Sequence, residues 1–335
     1  MFTKRSLFFK KHTRRVFIIK NALPVFAFLF AAIIVAWPIF TPDKERFDLP
    51  LNKTAVKTPS VDMEKVRFFS QDAKNRTMTV TADTIKETDA EKQIARLNNP
   101  VAVYTLADGD VLTSKTAYGL AYQNEKYFFF DQPIVSTTKS GYTAHNKNVK
   151  ATYEGVLESQ SPVKISGPAG SLDAAGFTMI NKGNHITFHK KTHAQIKQDK
   201  GTIIIDADGG LIIDRVKKTV TAKNNVKIHQ LENTLTADEV ILYYTDNKKQ
   251  RVQKMIAEGH VVLANTSNKI TGDKGEYNPI SEEMEMTGNV KLYQGKSFVT
   301  SEKATLNMKT GQSQLENKKK GRIKGTISPQ DLKNK

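Results

Sequence analysis

The chain has no cysteine, which excludes a disulfide framework and any thiolate metal centre. It has no Gly-x-Ser-x-Gly turn, no phosphate-cradling glycine loop and no His-Glu-x-x-His frame, so the motifs that announce a serine nucleophile, a bound nucleotide or a catalytic zinc are missing. No acidic residue occurs before Asp43. Beyond residue 40 no segment reads as a capped amphipathic helix.

The positive charge that remains is unevenly placed. Of the net +17, seven basic residues (Lys4, Arg5, Lys10, Lys11, Arg14, Arg15, Lys20) precede an apolar run, and the stretch from Lys318 onward carries a net six. Only four are left for the body of the chain, too few for the basic face that nucleic-acid binding needs. The Lys-rich end reads as a solvated, flexible tail.

The apolar run from Ala22 to Phe40 holds about 19 residues without a charge, enough at about 1.5 Å per residue to cross a hydrocarbon core of roughly 30 Å. It exceeds a signal-peptide core, and Ala36-Trp37-Pro38 is not a small-x-small cleavage site. The excess of basic residues before it places the N-terminus in the cytoplasm and the remainder outside. The expected organisation is a cytoplasmic segment (1–21), a transmembrane helix (22–40), a Pro-punctuated tether (41–60), two β modules (61–198 and 199–320) and the tail (321–335).

From Val61 the hydrophobic period is two: Met78, Val80 and Ala82 alternate with Thr77, Thr79 and Thr81, the signature of half-buried strands. Polar-small-acidic openings recur about every 30 residues, at Thr81-Ala82-Asp83, Asp206-Ala207-Asp208, Thr236-Ala237-Asp238 and Thr271-Gly272-Asp273, with looser copies between them. Each unit has a second half opened by a turn residue, as in Asn99-Pro100-Val101, Gln132-Pro133-Ile134, Ser161-Pro162-Val163, Asn225-Val226, Gly259-His260-Val261 and Gly288-Asn289-Val290. Two strands per unit over eight units predict an all-β body of about sixteen antiparallel strands, folded as two packed sheets.

Recurrence argues against catalysis by the acids Asp83, Asp208, Asp238 and Asp273, because a catalytic pair would be unique and these belong to turns. His185, His189 and His193 fall four apart, but four residues of strand span about 13 Å, too far for neighbours to share one ion. No catalytic residue, metal or cofactor is therefore assigned. Met255, Met284, Met286, Met308, Phe298 and Tyr277 fall at expected inward positions and would suit an adaptable apolar groove.

With these features assembled, the chain resembles the lipopolysaccharide-export proteins of the OstA/LptA superfamily. The stretch from Ser60 to Ile196 looks like LptC, through Met78-Thr79-Val80-Thr81-Ala82-Asp83, Asn99-Pro100-Val101 and Phe130-Asp131-Gln132-Pro133-Ile134-Val135. Asp206 to Gly321 looks like LptA, through Thr236-Ala237-Asp238-Glu239-Val240, Ala257-Glu258-Gly259-His260-Val261 and Thr287-Gly288-Asn289-Val290-Lys291-Leu292. The two together look like an LptC module fused to an LptA-like one.

The resemblance implies two consecutive twisted β-jellyrolls, each open as a V and joined edge to edge. It implies an inner-membrane, single-pass component that receives lipopolysaccharide from the ABC transporter complex of LptB, LptF and LptG. The lipid would pass to LptA or the outer-membrane LptD jellyroll at the C-terminal edge, with no nucleic acid involved. Taken by alternation, the groove would be lined in the first module by Val80, Ala82, Val101, Ile134 and Val163. In the second it would be lined by Ile205, Val226, Ile228 and Leu242, followed by Val261, Met286, Val290 and Leu292. Val66 and Phe68 would mark the edge toward the transporter, and Leu306 and Met308 the edge toward the next carrier. Gly176 corresponds to the family's glycine near a module end. A membrane-anchored scaffold with a dry core and a β-helical carbohydrate enzyme are the competing readings.

Overall fold

The computed structural model describes residues 62–72, 75–89, 91–198, 201–245, 252–265, 268–294, 297–310, 312–317 and 324–326. The expected membrane helix and tether lie outside these residues, as does most of the basic tail. Within them the chain is an all-β, twisted jellyroll architecture of antiparallel strands.

Two long strands come first, β1 (Asp62–Gln71) and β2 (Thr77–Asp89). Sixteen short ones follow. The first eight are β3 (Ile94–Asn98), β4 (Val101–Thr105), β5 (Val111–Lys115), β6 (Tyr118–Tyr122), β7 (Tyr127–Phe130), β8 (Ile134–Thr138), β9 (Thr143–Asn146) and β10 (Val149–Thr152). The next eight are β11 (Leu157–Ser159), β12 (Val163–Gly167), β13 (Gly170–Ala174), β14 (Phe177–Ile180), β15 (His185–His189), β16 (Thr192–Gln198), β17 (Gly201–Ala207) and β18 (Gly210–Asp214). Six long strands then run in meander order: β19 (Thr219–Gln230), β20 (Asn233–Tyr244), β21 (Val252–Ala264), β22 (Asn268–Asn278), β23 (Glu283–Gln294) and β24 (Ser297–Asn307). Two short strands, β25 (Ser313–Glu316) and β26 (Lys324–Thr326), finish the series.

Pairing arranges the short strands into two ladders. Ladder I runs β2-β3-β6-β7-β10-β11-β14-β15-β18-β19. Ladder II runs β2-β4-β5-β8-β9-β12-β13-β16-β17-β19. The long strands β2 and β19 belong to both, so the expected pair of packed sheets is one hydrogen-bonded sheet folded along a column of corners. On the side away from the corners, the hairpin turns of the two ladders form two rows.

The strands number 26 among the described residues, not sixteen, and the reason is local. In the first half the chain breaks into separate strands at every corner: Pro100, Pro133 and Pro162 offer no N–H to a ladder at three of them, and the breaks at 116–117, 147–148, 175–176, 190–191 and 208–209 occur without proline. In the second half the corners are Asn225, Gly259-His260 and Gly288-Asn289, which keep their N–H groups. There the strand bends without ending, and pairing shifts register at Lys223/Val226, Glu258/Val261 and Thr287/Val290. These bulges increase twist and turn the strand's direction.

Two apolar clusters fill the fold. One is built on Met78, Leu97, Phe128 and Ile134, the other on Val163, Ile205, Val261 and Met286, and they meet at Phe177 and Ile186. The division expected at 198/199 falls at the turn between β16 and β17, across which pairing runs on. Residues 324–326, expected in the flexible tail, instead form β26, which pairs with Phe298–Thr300; the open edge of β24 offers the backbone partners that a solvated tail lacks.

Candidate functional site

The corners position everything else. Residues there take left-handed backbone angles: φ is 48° at Asn99, 49° at Asn225, 46° at His260 and 48° at Asn289. Asparagine tolerates that region better than most residues with a Cβ. Each of these side chains also donates to a recurring acid of the neighbouring strand: Asn99 Nδ2 to Asp83 Oδ2 at 2.9 Å, and Asn225 Nδ2 to Asp208 Oδ2 at 3.1 Å. In the same way His260 Nδ1 lies 2.8 Å from Asp238 Oδ2, and Asn289 Nδ2 donates to Asp273 Oδ2 at 2.8 Å. The repeating acid is therefore a corner acceptor. Its periodicity was legible, whereas its partner was not, because the partner lies 16 to 22 residues away.

Side chains on the inner face of the fold are graded from corner to rim. In the second half Val226, Val240, Ala257, Val261, Met286 and Val290 lie next to the corners and are fully buried. One step farther out on the ladder I arm, Leu242, Met255, Tyr277 and Leu306 are only partly buried, as are Ile228 and Leu292 on the ladder II arm. Met284 on the first arm, and Leu235, Leu263 and Ile270 between Ile228 and Leu292 on the second, are buried although equally far out, so the ladder I arm is the more open of the two. A tight apex whose arms carry half-buried apolar side chains, chiefly on the ladder I side, is the cross-section of a V-shaped apolar groove.

Most of the expected lining residues fall on this inner face. Val80, Ala82 and Ile134 belong to the first cluster, and Val163, Ile205, Val226, Val261, Met286 and Val290 to the second, with Ile228, Leu242 and Leu292 packed against it. Val101 does not. Ala102 and Tyr104 point into the core from β4, so alternation turns Val101 outward opposite Thr81. The cause is a one-residue offset: Pro100 is itself buried at this corner, whereas Pro133 is exposed and the next residue, Ile134, takes the inward place. Phe298 is also outward, pairing with Tyr293, whose ring lies 5.8 Å away and beneath the Lys269 ammonium.

Edges are partly where they were expected. Val66 and Phe68 lie on β1, which pairs only with β2 among the described strands. Leu306 sits on β24, but β25 covers that strand, with Leu306 opposite Ser313, and Met308 lies beyond its end. The C-terminal edge is thus made by β25 and β26. Gly176 is not at an edge at all: it forms the corner between β13 and β14, where a Cβ would lie 2.6 Å from the Ser159 carbonyl oxygen.

The three spaced histidines are held apart by different partners. His185 Nδ1 is 3.6 Å from Asp214, His189 Nε2 is 2.8 Å from the Thr178 hydroxyl, and His193 Nδ1 is 2.8 Å from Asp206. No cluster able to hold a metal ion occurs among the described residues.

Residues 204–312 match an Lpt-family model. Its description is LptA/(LptD N-terminal domain) LPS transport protein, and the matched stretch spans the graded groove from Ile204 to the end of β24. Among solved structures, the chain is similar to LptH, the LptA homologous periplasmic component of the conserved lipopolysaccharide transport device from Pseudomonas aeruginosa. That likeness has 16% identity and a TM-score of 0.34, and covers 38% of this chain and 95% of LptH. No curated protein matches the chain.

Proposed function

We propose that the chain is a membrane-anchored carrier in lipopolysaccharide export, taking acyl chains into its apolar groove and handing them on through its sheet edges. The observation that carries this reading is the strip of half-buried apolar residues Leu242, Met255 and Tyr277 on one inner wall of the second half, with Ile228 and Leu292 half-buried on the other, within the stretch that matches the Lpt-family model. Burying one acyl chain of a dozen or so carbons is worth on the order of 10 kcal/mol, at about 0.8 kcal/mol per methylene. A lipid with several chains therefore needs a continuous apolar host to cross water.

Transfer between like grooves exchanges like contacts, so each step is nearly balanced and direction must be supplied from outside the chain. An inner-membrane ABC transporter of LptB, LptF and LptG would supply it. In this reading β1 receives the transporter's sheet and β25 with β26 meets LptA or the LptD jellyroll, each by strand addition to an open edge. Residues 22–40 would anchor the carrier in the inner membrane, with the sheet in the periplasm as an LptC-like module followed by an LptA-like one.

A photo-crosslinking residue at Leu242, Leu292 or Ile205 in cells tests the reading, with Thr79 and Phe298 as outward controls. Adducts with lipopolysaccharide at the inner positions alone, lost when the transporter's ATPase is disabled, are the expected result. A folded, anchored protein that traps none would leave the dry scaffold as the better account.

A further inference from the structure

The two ladders share backbone pairing at β2 and β19. Between those strands, on the side opposite the corners, the rows meet through side chains and turns rather than through ladder pairing among the described residues, and in the first half these contacts are specific. The Tyr104 hydroxyl, from near the end of β4 on ladder II, donates to the Gly155 carbonyl in the β10–β11 turn of ladder I at 2.6 Å. The Ala107 N–H, at the tip of the β4–β5 hairpin, donates to the Lys182 carbonyl between β14 and β15 at 2.7 Å. Asp108, on the same tip, forms an ion pair with Arg215 in the β18–β19 turn. Ser70 Oγ, from the end of β1, donates to the Tyr153 carbonyl at 3.2 Å.

The centre of this set is dry. Tyr104 is 3% exposed and Lys182 4%, and the Lys182 ammonium lies 4.3 Å from the centre of the Tyr104 ring, within cation–π reach. Burial pulls the Lys182 pKa down, with the Asp72 carboxylate opposing it. Gly155 has φ +91°, and a Cβ there would lie 2.6 Å from the Tyr104 hydroxyl and 3.1 Å from Lys182 Nζ. Only glycine lets the two rows approach this closely.

We infer that these contacts form a latch that closes the slit of the first half, and that it must part for a lipid with a large polar headgroup to enter and move along the groove. The inference rests on the reading of the chain as a lipid carrier. Acyl chains belong inside the apolar interior and a charged, hydrated headgroup cannot follow them there, so movement along the groove requires an open slit through which the headgroup trails. Opening need break no pairing within either ladder. It is a hinge about the corner column that releases three hydrogen bonds, one ion pair, the Lys182–Tyr104 ring contact and the packing of Leu106 beside Gly183.

Because the chain has no cysteine of its own, an Asp108→Cys/Arg215→Cys pair in the full chain can be bridged selectively by a short bis-maleimide. Loading of purified lipopolysaccharide and of a fluorescent fatty acid is then compared before and after bridging. The expected result is a loss of lipopolysaccharide loading of about ten-fold or more on bridging, with fatty-acid uptake unchanged. Tyr104→Phe, which removes one hydrogen bond, should raise the loading rate about five-fold, and Gly155→Ala should act in the same direction by prising the rows apart. Equal lipopolysaccharide loading of bridged and unbridged protein would overturn the latch while leaving the carrier reading intact. Uptake of neither probe by the folded, unbridged chain would remove both.

Discussion

Asn289, at the bend within β23, donates its side-chain amide to Asp273 at the neighbouring bend of β22 at 2.8 Å, and it does so from a left-handed backbone. The same arrangement recurs at Asn99 with Asp83 and at Asn225 with Asp208. A repeat whose role looked like turn-making is therefore a device for folding a sheet over itself, whether the strand at the corner ends, as at Asn99, or bends and runs on, as at Asn289.

A double-mutant cycle of Asn289→Ala and Asp273→Ala should return a coupling of roughly 0.5 kcal/mol, the low end for a hydrogen bond because both groups are exposed. Gly288→Ala at the same corner should cost about 1–3 kcal/mol, since φ is +74° and the new Cβ would lie 2.4 Å from the Asp273 carboxylate. Urea unfolding of the four variants measures both quantities. A coupling of zero would mean that the pair only decorates a bend set by glycine.

Met286 is fully buried at the apex of the groove and Leu242 only partly buried on its arm. Met286→Ala should destabilise the fold by about 2–5 kcal/mol. Leu242→Ala should cost clearly less, because water already reaches that side chain, yet should impair lipid loading more. Thermal melts and loading assays on the same preparations separate the two effects, and equal losses of stability would argue against the graded V.

Turning Val101 outward has a direct consequence. Val101→Thr should lie within about ±0.5 kcal/mol of the parent, whereas Val80→Thr, which puts a hydroxyl into the first core, should cost about 1–3 kcal/mol. Denaturation midpoints decide, and a large penalty at Val101 would restore it to the interior.

His260 occupies a corner position that asparagine holds elsewhere. Its hydrogen bond to Asp238, aided by the charges of Asp238 and Asp273, raises its pKa above the ordinary value of 6.5. A group raised on folding adds stability that is complete below the unfolded value and lost as pH rises through the folded one. The gain should thus be complete below 6.5 and fade as the pH rises through the raised value of the folded state. Imidazole titration by NMR should show the raised value, and Asp238→Asn should return it toward 6.5.

Local chemistry is what the amino-acid order made plain. Alternation of apolar and polar residues depends only on neighbours, so the all-β class and the inward series through Val80, Ile205, Met286 and Val290 could be read directly. So could the 30-residue recurrence of Asp83, Asp208, Asp238 and Asp273. Pairing across long separations could not. Which corners end a strand is not set by proline alone, since the chain also breaks at 116–117 and 147–148 without one, and whether Val101 faces in or out depends on which side of its corner Pro100 is buried. The contact of Asp108 with Arg215 joins residues 107 apart. Only the folding of one sheet along its corners brings those turns together, because the path between them runs through fourteen strands, β5 to β18, whose registers must all be set first.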